Sequence, residues 1–193
     1  MRDWGKRYVQ PGYYQRNFSV YDTDIDGIPY DLSYSYDTVG YNMKLIELGA
    51  AFANEQFKRL PSFIEARNKN HAYLTRHFFS EKTYERIFIA PRVYPDHTPS
   101  WFFFIFVLRD GVPFTRQEFG TYLEEHGIHT RPFFAGNIAR QPAVKNLHFK
   151  RSGTLVNTDK LMKDALMIGV HPGLTDDDLV YITNTVDTFL EGI

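Results

Sequence analysis

From Asn42 onward apolar residues recur at helical spacing. Leu45, Leu48 and Phe52 share one face, and Ile46, Gly49 and Ala53 share the face beside it. The spacing predicts a helix that is apolar round much of its circumference. Gly40-Tyr41-Asn42 makes a turn ahead of it, with Asn42 placed to cap the first free backbone N–H groups. Gly49, Ala50, Ala51 and Ala53 carry little bulk, so another backbone can approach closely. Pro61 has no N–H to continue a helix but suits the first turn of a new one, which predicts a break there. The second helix then carries Ile64, His71, Leu74 and Phe78 as its apolar stripe, among Arg, Lys and Asn residues.

Residues 1–39 lack this periodicity. They hold many Tyr, Asp and Gly, and Tyr21 to Gly27 is turn-like, so an irregular connecting segment is expected. Beyond Ser80 the pattern turns mixed. Arg86 to Ala90 predicts a short strand, and the apolar run Trp101 to Leu108 a buried one ended by Asp110-Gly111. Thr115 and Glu118 form a capping box for a helix through His126, which Gly127 ends. Ile128 to Phe134 reads as a strand, Asn157 to Leu166 as a helix and Met167 to Val170 as a strand. Thr175 caps a last helix whose first turn holds Asp176, Asp177 and Asp178. The fold class is α/β in the broad sense: a helix-rich, two-layer α+β domain on one small sheet. Three divisions follow, namely a connecting segment over 1–40, a helix pair over 41–80 and a small α+β domain over 81–193.

Composition changes this picture little. The formal net charge of -1 gives no reason to expect nucleic acid or an anionic membrane as partner. Aromatic residues make up 17% of the chain, so sizeable faces need covering. With no cysteine, disulfides, thiolate metal sites and cysteine-ligated iron–sulfur clusters are excluded, and a cytoplasmic location is expected. The run Trp101 to Leu108 is too short to cross a bilayer as a helix, and no signal peptide is expected behind Arg2-Asp3. No metal spacing is present: Gly127 separates His126 from His129, and the Asp22, Asp24, Asp26 series lacks a Glu at the twelfth position of a calcium loop. A phosphate-binding loop, a dinucleotide fingerprint and a nucleophile elbow are equally missing.

Several stretches carry a family likeness. Gly40-Tyr41-Asn42, the alanine-rich helix and Leu60 to Arg67 together resemble the DegT/StrS family of sugar-nucleotide enzymes, which use pyridoxal phosphate. The likeness continues through Arg2-Asp3-Trp4-Gly5, Pro99-Ser100-Trp101 and Gly127 to Pro132, nearly the whole chain. Phe134 to Pro142 and Ile168 to Thr175 are similar to the branch containing CDP-4-keto-6-deoxyglucose 3-dehydratases of lipopolysaccharide sugar biosynthesis. The resemblance implies a fold-type-I transferase using pyridoxal or pyridoxamine phosphate. Its substrate would be a nucleotide-linked 4-keto-6-deoxysugar, its reaction 3-dehydration or transamination, and its assembly a homodimer.

Two departures shape the expectation. Where that branch places cluster-binding cysteines, this chain reads Lys6-Arg7-Tyr8-Val9-Gln10, so no iron–sulfur cluster is expected. No lysine stands in the Ser-Phe-His-Lys-like context of the Schiff-base residue. The chain is therefore expected to match the C-terminal part of such an enzyme, with the large cofactor domain upstream of it. On that basis it would carry no catalytic residue and be inactive alone. The competing expectation is a non-catalytic fragment or a small binding or regulatory partner.

The resemblance also assigns roles. Asn42 matches the residue that reaches the cofactor phosphate of the other subunit, and a helix N-terminus there favours the anion; its plain alternative is a cap alone. Arg131 would clamp a diphosphate bidentately, unless it is an ordinary surface arginine. Gly136 and Asn137 would let the backbone approach a bound sugar, with Arg140 as a second phosphate partner; the alternative is a simple turn. Phe134, with Phe133, would stack on sugar or base, unless both are core. His171, at a strand end, would contact substrate or else be structural.

Overall fold

Asp26-Gly27 lies between Ile25 and Ile28, and both turn residues adopt left-handed backbone, with φ of 55° and 79°. Positive φ at both central positions is what a type I′ hairpin turn needs. The computed structural model, which describes residues 23–40, 47–80 and 84–192, accordingly shows an antiparallel hairpin here. Strand β1 (Thr23–Ile25) pairs with β2 (Ile28–Tyr30), Ile25 opposite Ile28 and Thr23 opposite Tyr30. Asp24 tightens the turn by accepting the Gly27 N–H at 2.8 Å. The sequence suggests an irregular connection instead, because strands of three residues are too short to show alternation.

The chain divides into two compact units. The first takes residues 1–43 and 114–166, the second residues 44–113 and 167–193. In the first unit, Ile25 and Tyr30 bury one hairpin face against Met162, with Ile28 and Tyr34 alongside. Helix α2 (Arg116–Glu125) begins at the expected capping box. Thr115 Oγ1 accepts the Glu118 N–H at 3.1 Å, and the Glu118 carboxylate accepts the Thr115 N–H at 2.7 Å. Those bonds hold the Glu118 carboxyl below its usual range. Gly127 ends the helix with φ of 73°. Glu124 then accepts from both the backbone and the hydroxyl of Thr130, which anchors β4 (Thr130–Pro132). Buried Arg116 reaches the other way. It donates to the carbonyl of Met162 in α3 (Val156–Asp164) at 2.6 Å and to that of Pro29 at 2.7 Å.

In the second unit, α1 (Glu47–Phe79) runs unbroken for 33 residues with Pro61 inside it. This corrects the expected break. Pro61 removes the donor that would bond the Phe57 carbonyl, but Phe57 is 72% exposed, so water can take that place. Proline's fixed φ suits the helix, and the Ser62 hydroxyl bonds the Arg59 carbonyl at 2.8 Å. Strand β3 (Phe103–Val107) is shorter than its apolar run and almost wholly buried. Phe78, Phe88 and Phe104 surround Phe106 with ring centroids 5.1, 4.9 and 5.0 Å from it, the spacing of edge-on aromatic packing. The strand expected over Arg86 to Ala90 reduces to a 3₁₀ turn (Tyr84–Arg86) and one bridge from Phe88 to Leu108.

Strand β5 (Ala165–Gly169) starts two residues earlier than expected, because α3 ends at Asp164. Within the second unit β5 is hydrogen-bonded beside β3. Helix α4 (Asp176–Glu191) opens with the Thr175–Asp178 capping box. Among the described residues no helix is long and apolar enough to cross a membrane.

Candidate functional site

Five of the residues singled out by sequence lie on one loop of the first unit: Arg131, Phe134, Gly136, Asn137 and Arg140. The loop leaves β4 and makes a turn in which the Phe134 N–H bonds the Pro132 carbonyl (2.8 Å) and the Gly136 N–H that of Phe133 (2.9 Å). Gly136 has φ of 61°, and a Cβ there would stand 2.7 Å from Met162 Cβ. Only glycine meets both demands. Gln141, fully buried, donates to the Ala135 carbonyl at 2.7 Å and accepts the Tyr36 N–H at 3.2 Å.

Asn137 and Arg140 converge on Asp159, a residue of α3 that sequence reasoning missed. Asn137 Oδ1 accepts the Ala139 N–H at 3.0 Å while its amide donates to Asp159 at 2.6 Å. Arg140 grips both oxygens of the same carboxylate, Nε at 2.6 Å and Nη2 at 2.7 Å. The Arg140 bonds first, then the Asn137 bond, hold the Asp159 carboxyl down to about 2. In return the pair raises the guanidinium above its usual value. Asp26 of the hairpin turn stands 4.0 Å from Arg140 Nη1 and accepts from Lys145 at 3.1 Å. Asp26 carried only a turn signal in sequence, and Lys145 and Asp159 carried none. Their partners lie between 19 and 119 positions away, so only the folded chain identifies them.

Arg131 and Phe134 are arranged differently. Arg131 Nη1 donates to the neighbouring Thr130 carbonyl at 2.8 Å, and the residue stays half-buried in the middle of β4. Phe134 has left-handed backbone, φ of 48°, and a side chain that reaches solvent; the Tyr30 hydroxyl donates to its carbonyl.

His171 belongs to the second unit. Its Nδ1 accepts the Gly173 N–H at 3.1 Å, which leaves Nε2 to carry the proton in the neutral ring. Its carbonyl accepts from Asn70 at 3.0 Å. On the same helical turn Asn68 accepts the Trp101 N–H at 3.4 Å, and His71 stacks on the Trp101 ring at 3.8 Å with planes 3° apart. Burial pushes the His71 imidazole down to about 4. Asn42, the expected cofactor contact, lies outside the described residues.

Among the described residues Lys58, Lys69, Lys145 and Lys160 pair with Glu55, Asp176, Asp26 and Asp164. Among the described residues no group of three acidic or histidine side chains is placed to hold a metal ion.

Comparison with known proteins gives these features a setting. The model of the DegT/DnrJ/EryC1/StrS aminotransferase family matches residues 21–187. The lipopolysaccharide biosynthesis protein RfbH of Salmonella typhimurium strain LT2 is 34% identical over 191 residues, which are 97% of this chain and 43% of that protein. The dTDP-4-dehydro-2,6-dideoxy-D-glucose 3-dehydratase of Saccharopolyspora spinosa is 31% identical over 193 residues, 98% of this chain and 41% of the relative. Among solved structures, the E. coli GDP-4-keto-6-deoxy-D-mannose-3-dehydratase with bound hydrated PLP superposes with a TM-score of 0.66 at 26% identity. That match covers 80% of this chain and 38% of the other. The chain thus spans less than half the length of the curated relatives it matches.

Proposed function

The chain belongs to the DegT/DnrJ/EryC1/StrS aminotransferase family, and from that membership we propose that it forms part of a sugar-nucleotide enzyme dependent on pyridoxal or pyridoxamine phosphate. The substrate would be a nucleotide-linked 4-keto-6-deoxysugar of lipopolysaccharide biosynthesis. The reaction would be loss of the C3 hydroxyl or amino transfer to a keto carbon. When bound, the cofactor of such an enzyme supplies the electron sink for the carbanion chemistry. In this reading the described residues hold and orient the substrate.

The observation that carries this reading is the 131–140 loop. Its turn is fixed by Gly136, Asn137, Arg140 and buried Gln141, with Arg131 half-buried and Phe134 exposed beside it. In our reading Arg131 takes the diphosphate, for which a planar guanidinium is suited. Gly136 and Asn137 shape the backbone beside the sugar, with Arg140 as a second phosphate partner; His171, taken by itself in the second unit, offers Nε2 as a donor to substrate. Asn42 would reach the cofactor phosphate of a second subunit in a cytoplasmic homodimer. Leu48 and Phe52, exposed at 77% and 66%, give α1 an apolar face of the kind a subunit contact covers.

The test extends the reading frame upstream and expresses the longer protein. An in-frame glycine-rich segment with Lys or His at the internal-aldimine position is expected, in a protein that binds pyridoxal phosphate and consumes a nucleotide-linked 4-keto-6-deoxysugar. A stop codon directly upstream, or an extended protein that leaves such sugars intact, overturns the proposal. The present chain alone is expected to give no aldimine band with pyridoxal phosphate.

A further inference from the structure

One turn of α1 holds two buried nitrogen donors for which the described residues supply no acceptor. His71 is only 7% exposed, and its Nε2 is sealed from solvent without a hydrogen-bond partner. The other ring nitrogen, Nδ1, lies 3.2 Å from the Thr75 hydroxyl. Among the described residues that hydroxyl bonds nothing else, so it donates to Nδ1 and the neutral ring carries its own proton on Nε2. Stacking on Trp101, centroids 3.8 Å apart, fixes the plane of the ring and with it the line of that N–H. Arg67 stands four residues earlier on the same helix, which puts its Cβ about 5–6 Å from that of His71 on one face. Its Nε is likewise buried and unbonded, and no Asp or Glu among the described residues pairs with it. Neighbouring polar groups are spent elsewhere. Lys69 pairs with Asp176 at 2.7 Å, Asn68 accepts the Trp101 N–H at 3.4 Å, and Asn70 donates to the His171 carbonyl at 3.0 Å.

Two adjacent donors without an acceptor describe the ligand they lack. Burial holds the imidazole down to about 4, so the pair carries one positive charge, that of the guanidinium. A monoanion with two oxygens neutralises that charge and answers both donors. A phosphate, nearly doubly charged at neutral pH, would leave negative charge buried without a partner. Chloride lacks the paired oxygens that match an arginine fork. We propose that Arg67 and His71 form a carboxylate-binding niche in the second unit, open to a small free carboxylate or to an Asp or Glu side chain of another polypeptide. The niche is independent of the nucleotide-sugar reading and uses none of its residues.

NMR of the full chain tests it by following the His71 Cε1 proton and the Trp101 indole proton at pH 7. The titrants are sodium formate, N-acetyl-glutamate amide and, as control, sodium chloride. Formate has three heavy atoms, which limits its dissociation constant to about 1 mM at best, so saturation between about 1 and 100 mM is expected. Arg67→Met keeps the stem and removes the donors; formate should bind it at least about tenfold more weakly, the share of one charge-assisted hydrogen bond. His71→Phe keeps the stack on Trp101 and should weaken formate as well, read through the indole proton. In chloride alone Arg67→Met should unfold at the same or a higher temperature, because it deletes a buried donor that has no acceptor. Saturation by formate and not by the glutamate derivative assigns the niche to free carboxylates; saturation by both assigns it to a side chain of another polypeptide. The proposal is overturned by no saturation with either, by an equal response to chloride, by wild-type formate affinity in Arg67→Met, or by a lower unfolding temperature of that variant in chloride.

Discussion

Gly136→Ala separates a shape-giving glycine from one that merely adjoins a ligand. The substitution meets two obstacles at once. The backbone φ of 61° is left-handed, which costs a residue with a Cβ about 1–2 kcal/mol. The added methyl would also stand 2.7 Å from Met162 Cβ and 3.1 Å from its Sδ. Met162 is fully buried against Ile25 and Tyr30, and its carbonyl is held by Arg116 at 2.6 Å. A clash with a Cβ cannot be relieved by turning the side chain, so α3 itself must move. Overpacking of this kind costs about 1–3 kcal/mol. Together the two terms come to about 2–5 kcal/mol, a large fraction of the roughly 5–15 kcal/mol that holds a typical domain together.

Urea titration followed by far-ultraviolet circular dichroism reads the loss, and amide exchange in α3 locates it. Met162→Ala is the partner variant. Alone it should cost about 2–5 kcal/mol through the cavity it leaves. In the double variant the contacts with Cγ and Sδ are gone while the 2.7 Å contact with the remaining Cβ stays, so the combined loss should fall short of the sum by about 0.5–1.5 kcal/mol, only part of the overpacking cost. The left-handed strain remains in both. A Gly136→Ala protein within about 0.3 kcal/mol of wild type would refute the reasoning, as would strict additivity in the double variant.

Two pH predictions accompany it. The Asp159 carboxyl is held to about 2 against an ordinary 3.8, chiefly by Arg140, so the folded state binds its proton later than the unfolded chain. Its stabilising contribution is therefore full above pH 3.8 and disappears as pH falls toward 2; Asp159→Asn should flatten the urea midpoint across that window. His71 is lowered to about 4 from 6.5 by burial, so between those values the unfolded chain takes a proton that the folded one refuses. Stability should be highest above pH 6.5 and decline as pH falls toward 4, by as much as about 3 kcal/mol at 1.36 kcal/mol per unit. Denaturant titrations followed by Trp101 emission should show that slope, and His71→Phe should remove it; an equal slope in the variant would exclude His71 as its source.

Which features were legible in the sequence follows from how local their causes are. The Thr115–Glu118 capping box and the Thr175 cap each lie within four residues, and both helices begin where the spacing indicates. The apolar run at 101–108 likewise becomes β3, trimmed at its ends. The hairpin was hidden because its strands are short, although Asp26-Gly27 was the signal that could have found it. Pro61 misled for a different reason. Helix-breaking rules count the lost bond and ring clash as though the freed carbonyl had no solvent, whereas Phe57 is exposed here. In the candidate site the loop residues could be named from sequence, but their partners could not. Asp159 reads as an ordinary helix-surface aspartate until folding sets it between Asn137 and Arg140.

That last point bears on what the loop's recognisable sequence means. Gly136 is required by its φ and by Met162, Asn137 by its two hydrogen bonds, Arg140 by Asp159, and Gln141 by Ala135 and Tyr36. Each requirement comes from inside the first unit. The positive charges of Arg140 and Lys145 are engaged by Asp159 and Asp26. A segment built this way is recognised because its shape admits few alternatives, and most of its polar groups are engaged in holding that shape.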